Sequence, residues 1–259
     1  MIRKHIAITV LALAVSACAV FAQTSNTKQP KVKSQKEAEA IQAMFQAADP
    51  DARIAAAKDL VTKFADTEFK STAFYISAFS AQQKGDLENV VVYGDMAMEA
   101  DPQNYGAMVL VASALAQRTR EFDLDREEKL GRSEKLAKAS MELVKTAPKP
   151  NPAITDEQWE GAKKEYTAQG YEALGMAAMA RKNHEACATN LQLAADTSPQ
   201  VDPATLVRLG SCYGKLKKFD LGIAALDKAL ADAGAAPIVK QAATQEKLEQ
   251  MKQKAAASK

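Results

Sequence analysis

Aromatic residues are scarce in this chain, at 6% of 259 positions, with a single tryptophan. That scarcity argues against a core built around large rings, and the many alanines suit helices that pack at close range instead. Histidine is nearly missing, with two in the chain and only His184 beyond the N-terminal segment. His184 and Cys187, three residues apart, offer at most two metal ligands, whereas tetrahedral zinc takes three or four protein groups. A Cys–His nucleophile pair also requires a third group to orient it. His184 is therefore read as a solvated turn residue. The chain has no Gly-rich phosphate loop, no paired-histidine metalloprotease signature and no Gly-x-Ser-x-Gly elbow. No catalytic, metal or cofactor site is expected. Nor is there an excess of one charge. Two of the 34 basic residues, Arg3 and Lys4, lie in the leader described next, which leaves 32 against 32 acidic residues. That balance lacks the basic footprint of a nucleic-acid binder.

Long apolar runs are absent beyond the first residues. Arg3 and Lys4 make a basic start, Ile6–Val15 an apolar stretch, and Val20-Phe21-Ala22 offers small residues ahead of Gln23. These three parts predict a secretory signal over 1–22, and the apolar stretch is shorter than the roughly 20 residues of a membrane span. Val15-Ser16-Ala17-Cys18 also resembles a bacterial lipobox, so cleavage before a lipidated Cys18 stays open beside cleavage after Ala22. The first predicts a membrane-tethered lipoprotein and the second an exported, periplasmic bacterial protein. Residues 23–34, rich in polar side chains, read as a flexible lead-in.

From residue 35 onward the pattern is helical throughout. Ala38, Ile41 and Phe45 mark one helix ended by Asp49-Pro50, and Ile54, Leu60, Val61 and Phe64 mark the next. Then a unit recurs. Gly170-Tyr171-Glu172-Ala173-Leu174-Gly175 leads to Leu191, Ala194-Ala195 and Pro199. About 35 residues on, Leu206, Leu209-Gly210, Leu226, Ala229-Leu230 and Gly234 repeat the set. The stretch 71–104 carries it too, with Phe74 in a large slot, Ala78 in a small one, Gly85-Asp86 as turn, Ala97 in a second helix and Asp101-Pro102 as terminator. Small residues let paired helices approach, and Pro cannot continue a helix.

These motifs resemble the tetratricopeptide repeat (TPR) family. The resemblance implies an all-α, right-handed α-solenoid of helical hairpins, and 236–257 is expected to form a C-terminal capping helix. The hairpins would span 35–67 (degenerate), 71–104, 105–148, 168–201 and 203–235. In the second clear unit Val111-Ala112 fill the first-helix slots, whereas Leu136, Ser140 and Leu143 come late, so 118–131 is an insertion of about a dozen residues beyond the period. Its Asp123 and Asp125 lack the further ligands and glycine of a calcium loop, and Asp125 is expected to cap a helix with Glu127 and Glu128 in the first turn. Val90-Val91-Val92, though β-branched, is read as helix. The terminal helix is expected to turn Ile238, Ala242, Leu248 and Met251 to one side, over the last repeat.

In such arrays the inner face of the first helix of each hairpin lines a groove. By register these residues are Tyr75, Phe79, Gln82 and Gln83, then Val109, Ser113 and Gln117, then Glu172, Met176 and Met179, then Val207, Ser211 and Lys215. Met176 and Met179 read equally well as core filler. Arg208 falls near one slot of a carboxylate clamp, but Tyr75, Val109 and Ser113 hold the others, so recognition of a chaperone tail is not expected. Cys187 and Cys212 would lie on neighbouring helices, either bridged or as two buried thiols. The resemblance implies a non-enzymatic scaffold or adaptor for a protein or peptide, without nucleic acid or a small-molecule substrate, and with a membrane involved only if Cys18 is lipidated. A lipid-anchored assembly factor and an accessory subunit of an enzyme complex remain alternatives.

Overall fold

The computed structural model describes residues 30–257, so Cys18, the leader over 1–22 and most of the lead-in lie outside the described residues. Among the described residues the chain forms eleven helices and no strand. They are α1 (Gln35–Gln46), α2 (Pro50–Lys63), α3 (Lys70–Gln83), α4 (Leu87–Ala100), α5 (Tyr105–Arg118), α6 (Arg126–Thr146), α7 (Asp156–Ala180), α8 (His184–Thr197), α9 (Pro203–Lys215), α10 (Phe219–Ala231) and α11 (Pro237–Ala257).

The helix starts follow local chemistry. Ser34, Asp49, Asp86, Asn183 and Asp202 each accept a backbone N–H of the first turn through the side chain. This satisfies donors that have no partner inside the helix. Pro50 and Pro203 stand at the first helical positions, where a missing N–H costs nothing. Three hairpin turns share one backbone device. Gly85 (φ 73°), Lys182 (φ 61°) and Lys217 (φ 58°) all adopt the left-handed conformation. Glycine does this freely, whereas a residue with Cβ pays about 1 kcal/mol. The turn is thus set by hairpin geometry even where lysine occupies it.

Two compact units divide the chain, Met1–Ala114 with Ala139–Lys163, and Leu115–Lys138 with Lys164–Lys259. In the first, Met44, Leu60, Ala73, Ile76, Ala78, Val90 and Ala97 pack into one core with no more than 2% of any exposed. A Cβ on Gly94 would lie 2.2 Å from the Val111 side chain, so α4 and α5 meet where there is room for no side chain. Asn104 ties this step together: its carbonyl accepts the Ala107 N–H at 2.9 Å, and its amide donates to the Ser71 hydroxyl at 2.9 Å, which donates to the Ala97 carbonyl at 2.9 Å. Ser140 repeats the move, donating to the Tyr105 carbonyl at 2.8 Å.

The helix α7 begins a dozen residues before the repeat does. Its opening turns are charged and lack an apolar stripe, so the repeat pattern first shows at Ala168. One residue anchors the extra stretch: Trp159 is 5% exposed, and its indole N–H donates to the Ala147 carbonyl at 3.2 Å.

In the second unit, Leu191 packs over Gly175 and Leu226 over Gly210, where an added Cβ would sit 2.6 and 2.7 Å from the leucine Cγ. Cys187 and Cys212 form a disulfide between α8 and α9, with Cα atoms 6.1 Å apart. The terminal helix α11 packs on α9 and α10, but not through the side expected of it. Ile238, Leu248 and Met251 are 71%, 54% and 50% exposed, and Ala242 is exposed with them. The buried side chains are Ala243 and Gln250. Gln250 fills a slot floored by glycine: its amide donates to the Gly210 carbonyl at 2.8 Å, and a Cβ on Gly214 or Gly222 would lie 2.5 or 2.1 Å from it. Backbone access for a polar amide, with the small apolar contact of Ala243 on Leu226 and Ala229 beside it, sets the docked face.

Candidate peptide-binding faces

In the first unit the residues placed by register lie on α3 and α5. Tyr75, Phe79 and Gln82/Gln83 lie one helical turn apart, as do Val109 and Ser113, so each set forms a stripe along its helix. Phe79 and Gln82 are half-buried and Gln83 is exposed. Tyr75, Val109 and Ser113 are buried, Tyr75 within the core of that unit. Arg53 reaches Gln83 from α2, donating to its side-chain oxygen at 3.0 Å.

In the second unit the stripes are Glu172, Met176 and Met179 on α7, and Val207, Ser211 and Lys215 on α9; Gln117 is exposed at the end of α5. Met176 is a core residue, 5% exposed and packed with Ala116, Leu130 and Ala177. Met179 stays half-buried beside the cluster around the disulfide, so of the two methionines it is the one with surface to offer. Val207 and Ser211 are half-buried and Lys215 is exposed.

Glu172 is where charge enters this face. It accepts from the Arg208 guanidinium at 2.7 Å, linking α7 to α9. Arg208 is thus committed to a carboxylate of its own chain. Glu172 also lines a small open cleft, together with Glu165, Gln169, Ser198, Val201, Asp202 and Thr205 among others. Burial pushes the Glu172 carboxyl above the usual range; the Arg208 guanidinium and the Thr205 hydroxyl oppose this, and Asp202 and Glu165 add to it. Glu165 is itself held by the Ser198 hydroxyl at 2.9 Å.

A pH dependence follows from Glu172. Its folded state holds a proton more tightly than the unfolded chain, so this residue contributes stability at low pH. That contribution is lost as pH rises from the ordinary value of 4.5 through the raised one. The Glu172→Gln variant is expected to remove this descending step. Urea midpoints measured across the acid-to-neutral range would then be flatter than those of the unsubstituted chain.

The remaining residues of interest stand apart from these faces. His184 opens α8 as its first residue. Asp125 precedes α6; its carbonyl accepts the Lys129 N–H at 3.0 Å, and its carboxylate meets the Lys129 ammonium at 2.7 Å. Glu127 and Glu128 lie in the first turn. Among the described residues no group of three or more His, Cys, Asp or Glu is placed to hold a metal ion. The Glu172–Arg208 pair and the adjoining cleft were missed from sequence, because residues 36 positions apart meet only through the stacking of α7 on α9.

No protein-family model matches the chain, and no curated protein matches it. Among solved structures it is similar to the crystal structure of a thermophilic TPR protein of Thermus thermophilus, with a TM-score of 0.53 at 15% identity. The likeness covers 77% of this chain and 91% of that one. At that identity the similarity bears on the fold: consecutive helices packed as TPR hairpins.

Proposed function

Starting from a TPR fold, we propose that this chain is a non-enzymatic scaffold that holds a protein or peptide segment against the inner faces of its hairpins, in the cell envelope. The observation that carries the reading is the pair of stripes with side chains left at the surface, Phe79-Gln82-Gln83 in one unit and Met179 with Val207-Ser211-Lys215 in the other. They combine one aromatic, soft apolar groups and amides with a single lysine. That mixture suits an extended segment or a helix held by shape and apolar contact more than by charge. The envelope location rests on the leader pattern over 1–22.

The test is an affinity pull-down of the mature protein from its own envelope, with intact mass read on the same sample. A stoichiometric polypeptide partner is expected. Phe79→Ala is expected to weaken it by about 30-fold, the scale of losing an interface aromatic, and Gln83→Lys by less, with both variants still folded by circular dichroism. A partner indifferent to all of these stripes would overturn the reading, as would turnover of a substrate by the purified chain that point changes abolish. A mass beginning at Gln23 supports a freely exported protein. A diacylglyceryl-Cys18 mass supports the tethered alternative that the Val15–Cys18 motif raises.

A further inference from the structure

The turn between α5 and α6 presents two large apolar side chains to solvent. Phe122 is 90% exposed and Leu124 is 107% exposed, and no other large apolar residue among those described exceeds 71%. Exposed side chains of this size are ordinary in a loose loop, but this loop is tied at many points. Arg120 donates its N–H to the Asp123 carboxylate at 3.1 Å, and the Asp123 carbonyl accepts the Arg126 N–H at 3.2 Å. Lys129 meets Asp123 at 3.3 Å and Asp125 at 2.7 Å. Lys182 meets Glu121 at 2.5 Å, and the Arg126 guanidinium donates to the Ala180 carbonyl at 2.5 Å. The ties come from side chains on either side of Phe122 and Leu124, so the loop is held in one conformation with both groups pointing out. An ordered loop loses little conformational entropy when it docks.

We propose that Phe122 and Leu124 form a second interaction surface, which inserts into an apolar pocket of a partner protein whose rim carries lysine or arginine. The pocket follows from the two side chains. The basic rim follows from the alternation Glu121-Phe122-Asp123-Leu124-Asp125, five residues with three negative charges and no positive one. Glu121 and Asp125 keep 53% and 52% of their side chains exposed despite their lysine partners, so both remain open to a further cation. The same charges disfavour an anionic lipid surface, which attracts basic segments. This surface uses none of the inner-face residues, so it stands or falls separately from the groove.

The experiment places the photoreactive p-benzoylphenylalanine at position 122 of the full chain, expressed in its own cells, and maps the cross-linked residue by mass spectrometry. The expected result is one protein, cross-linked within an apolar pocket flanked by Lys or Arg. The yield should fall at least tenfold with Leu124→Ser, at an unchanged melting temperature. Phe79→Ala should leave this cross-link in place while it weakens the groove partner, which separates failure of one surface from failure of the other. Four outcomes would overturn the proposal: adducts on lipid, or sedimentation of the purified protein with phosphatidylethanolamine–phosphatidylglycerol vesicles; a cross-linked homodimer; an adduct insensitive to Leu124→Ser; or no adduct.

Discussion

Replacing Cys187 and Cys212 together with alanine is expected to lower the unfolding free energy by about 3 kcal/mol. The two cysteines are separated by 25 positions in sequence, and the closure entropy of a loop of that order corresponds to about 3.5 kcal/mol in the unfolded chain. Both side chains are inside the core of the second unit, 0% and 1% exposed, packed with Leu191, Leu209 and Ala225. Truncation to alanine therefore adds a small cavity term to the lost cross-link. Equilibrium urea unfolding decides the matter, with three samples compared: the unsubstituted chain, the double variant, and the unsubstituted chain with dithiothreitol. The unsubstituted chain should show the highest midpoint, and both samples without the bond should fall below it, the alanine variant slightly further because of its cavity. A double variant within 1 kcal/mol of the bridged protein would mean that packing, and not the covalent link, holds α8 to α9. Because both sulfurs are buried, reduction should require opening of this region, so dithiothreitol alone should act slowly below the unfolding transition.

Gly222→Val is expected to be the most damaging change at the C-terminal end, lowering stability by about 2–3 kcal/mol, the upper part of the range for overpacked sites. The Cβ would stand 2.1 Å from the Gln250 amide oxygen and 3.0 Å from the Gly210 carbonyl. The α9 backbone cannot swing away as a side chain can, so α10 has to shift from α9 while Gln250 is driven out of its slot, which loosens α11 from its seat. That movement would uncover Leu226, Ala229 and Ala243, which are 0% exposed in the docked state. Hydrogen exchange should report it directly, with protection lost along α11 before it is lost in α9 and α10. Gly131 and Gly161 provide the contrast, since a Cβ at either meets nothing within 4 Å. Alanine there removes glycine from a helix interior, and each change should raise stability by up to about 1 kcal/mol. If Gly222→Val proved as benign as Gly161→Ala, the glycine-lined slot would not be what seats the terminal helix.

These two sites show how unevenly the architecture could be read from the chain. The hairpin pattern rests on local signals: apolar spacing, small residues one turn apart, and Asp-Pro at helix ends. Such signals act within a few residues, so α3 with α4 and α9 with α10 were apparent from the residues alone. The opening of α7 was not apparent, because its charged turns carry no stripe and Trp159 owes its burial to a carbonyl twelve positions away. The face of α11 was misjudged for a related reason. Ile238, Leu248 and Met251 suggested a buried side, but a helix docks where its partner has room, and the room lay over three glycines that accept Gln250. On the inner faces, register alone placed Tyr75, Val109, Ser113 and Met176, and burial then set them apart from Phe79, Gln83, Met179 and Lys215.

The order of residues was enough to establish the class: helices, their hairpin repetition, and their caps and stops, because each depends on neighbours along the chain. Packing in three dimensions was needed for the pairing of Cys187 with Cys212, the Glu172–Arg208 link, the left-handed turns at Lys182 and Lys217, the seat of Gln250, and the pinned display of Phe122 and Leu124. Most of these depend on distances between residues tens of positions apart, and the lysine turns on the geometry that two packed helices impose on their connection. Those distances exist only once the helices have stacked.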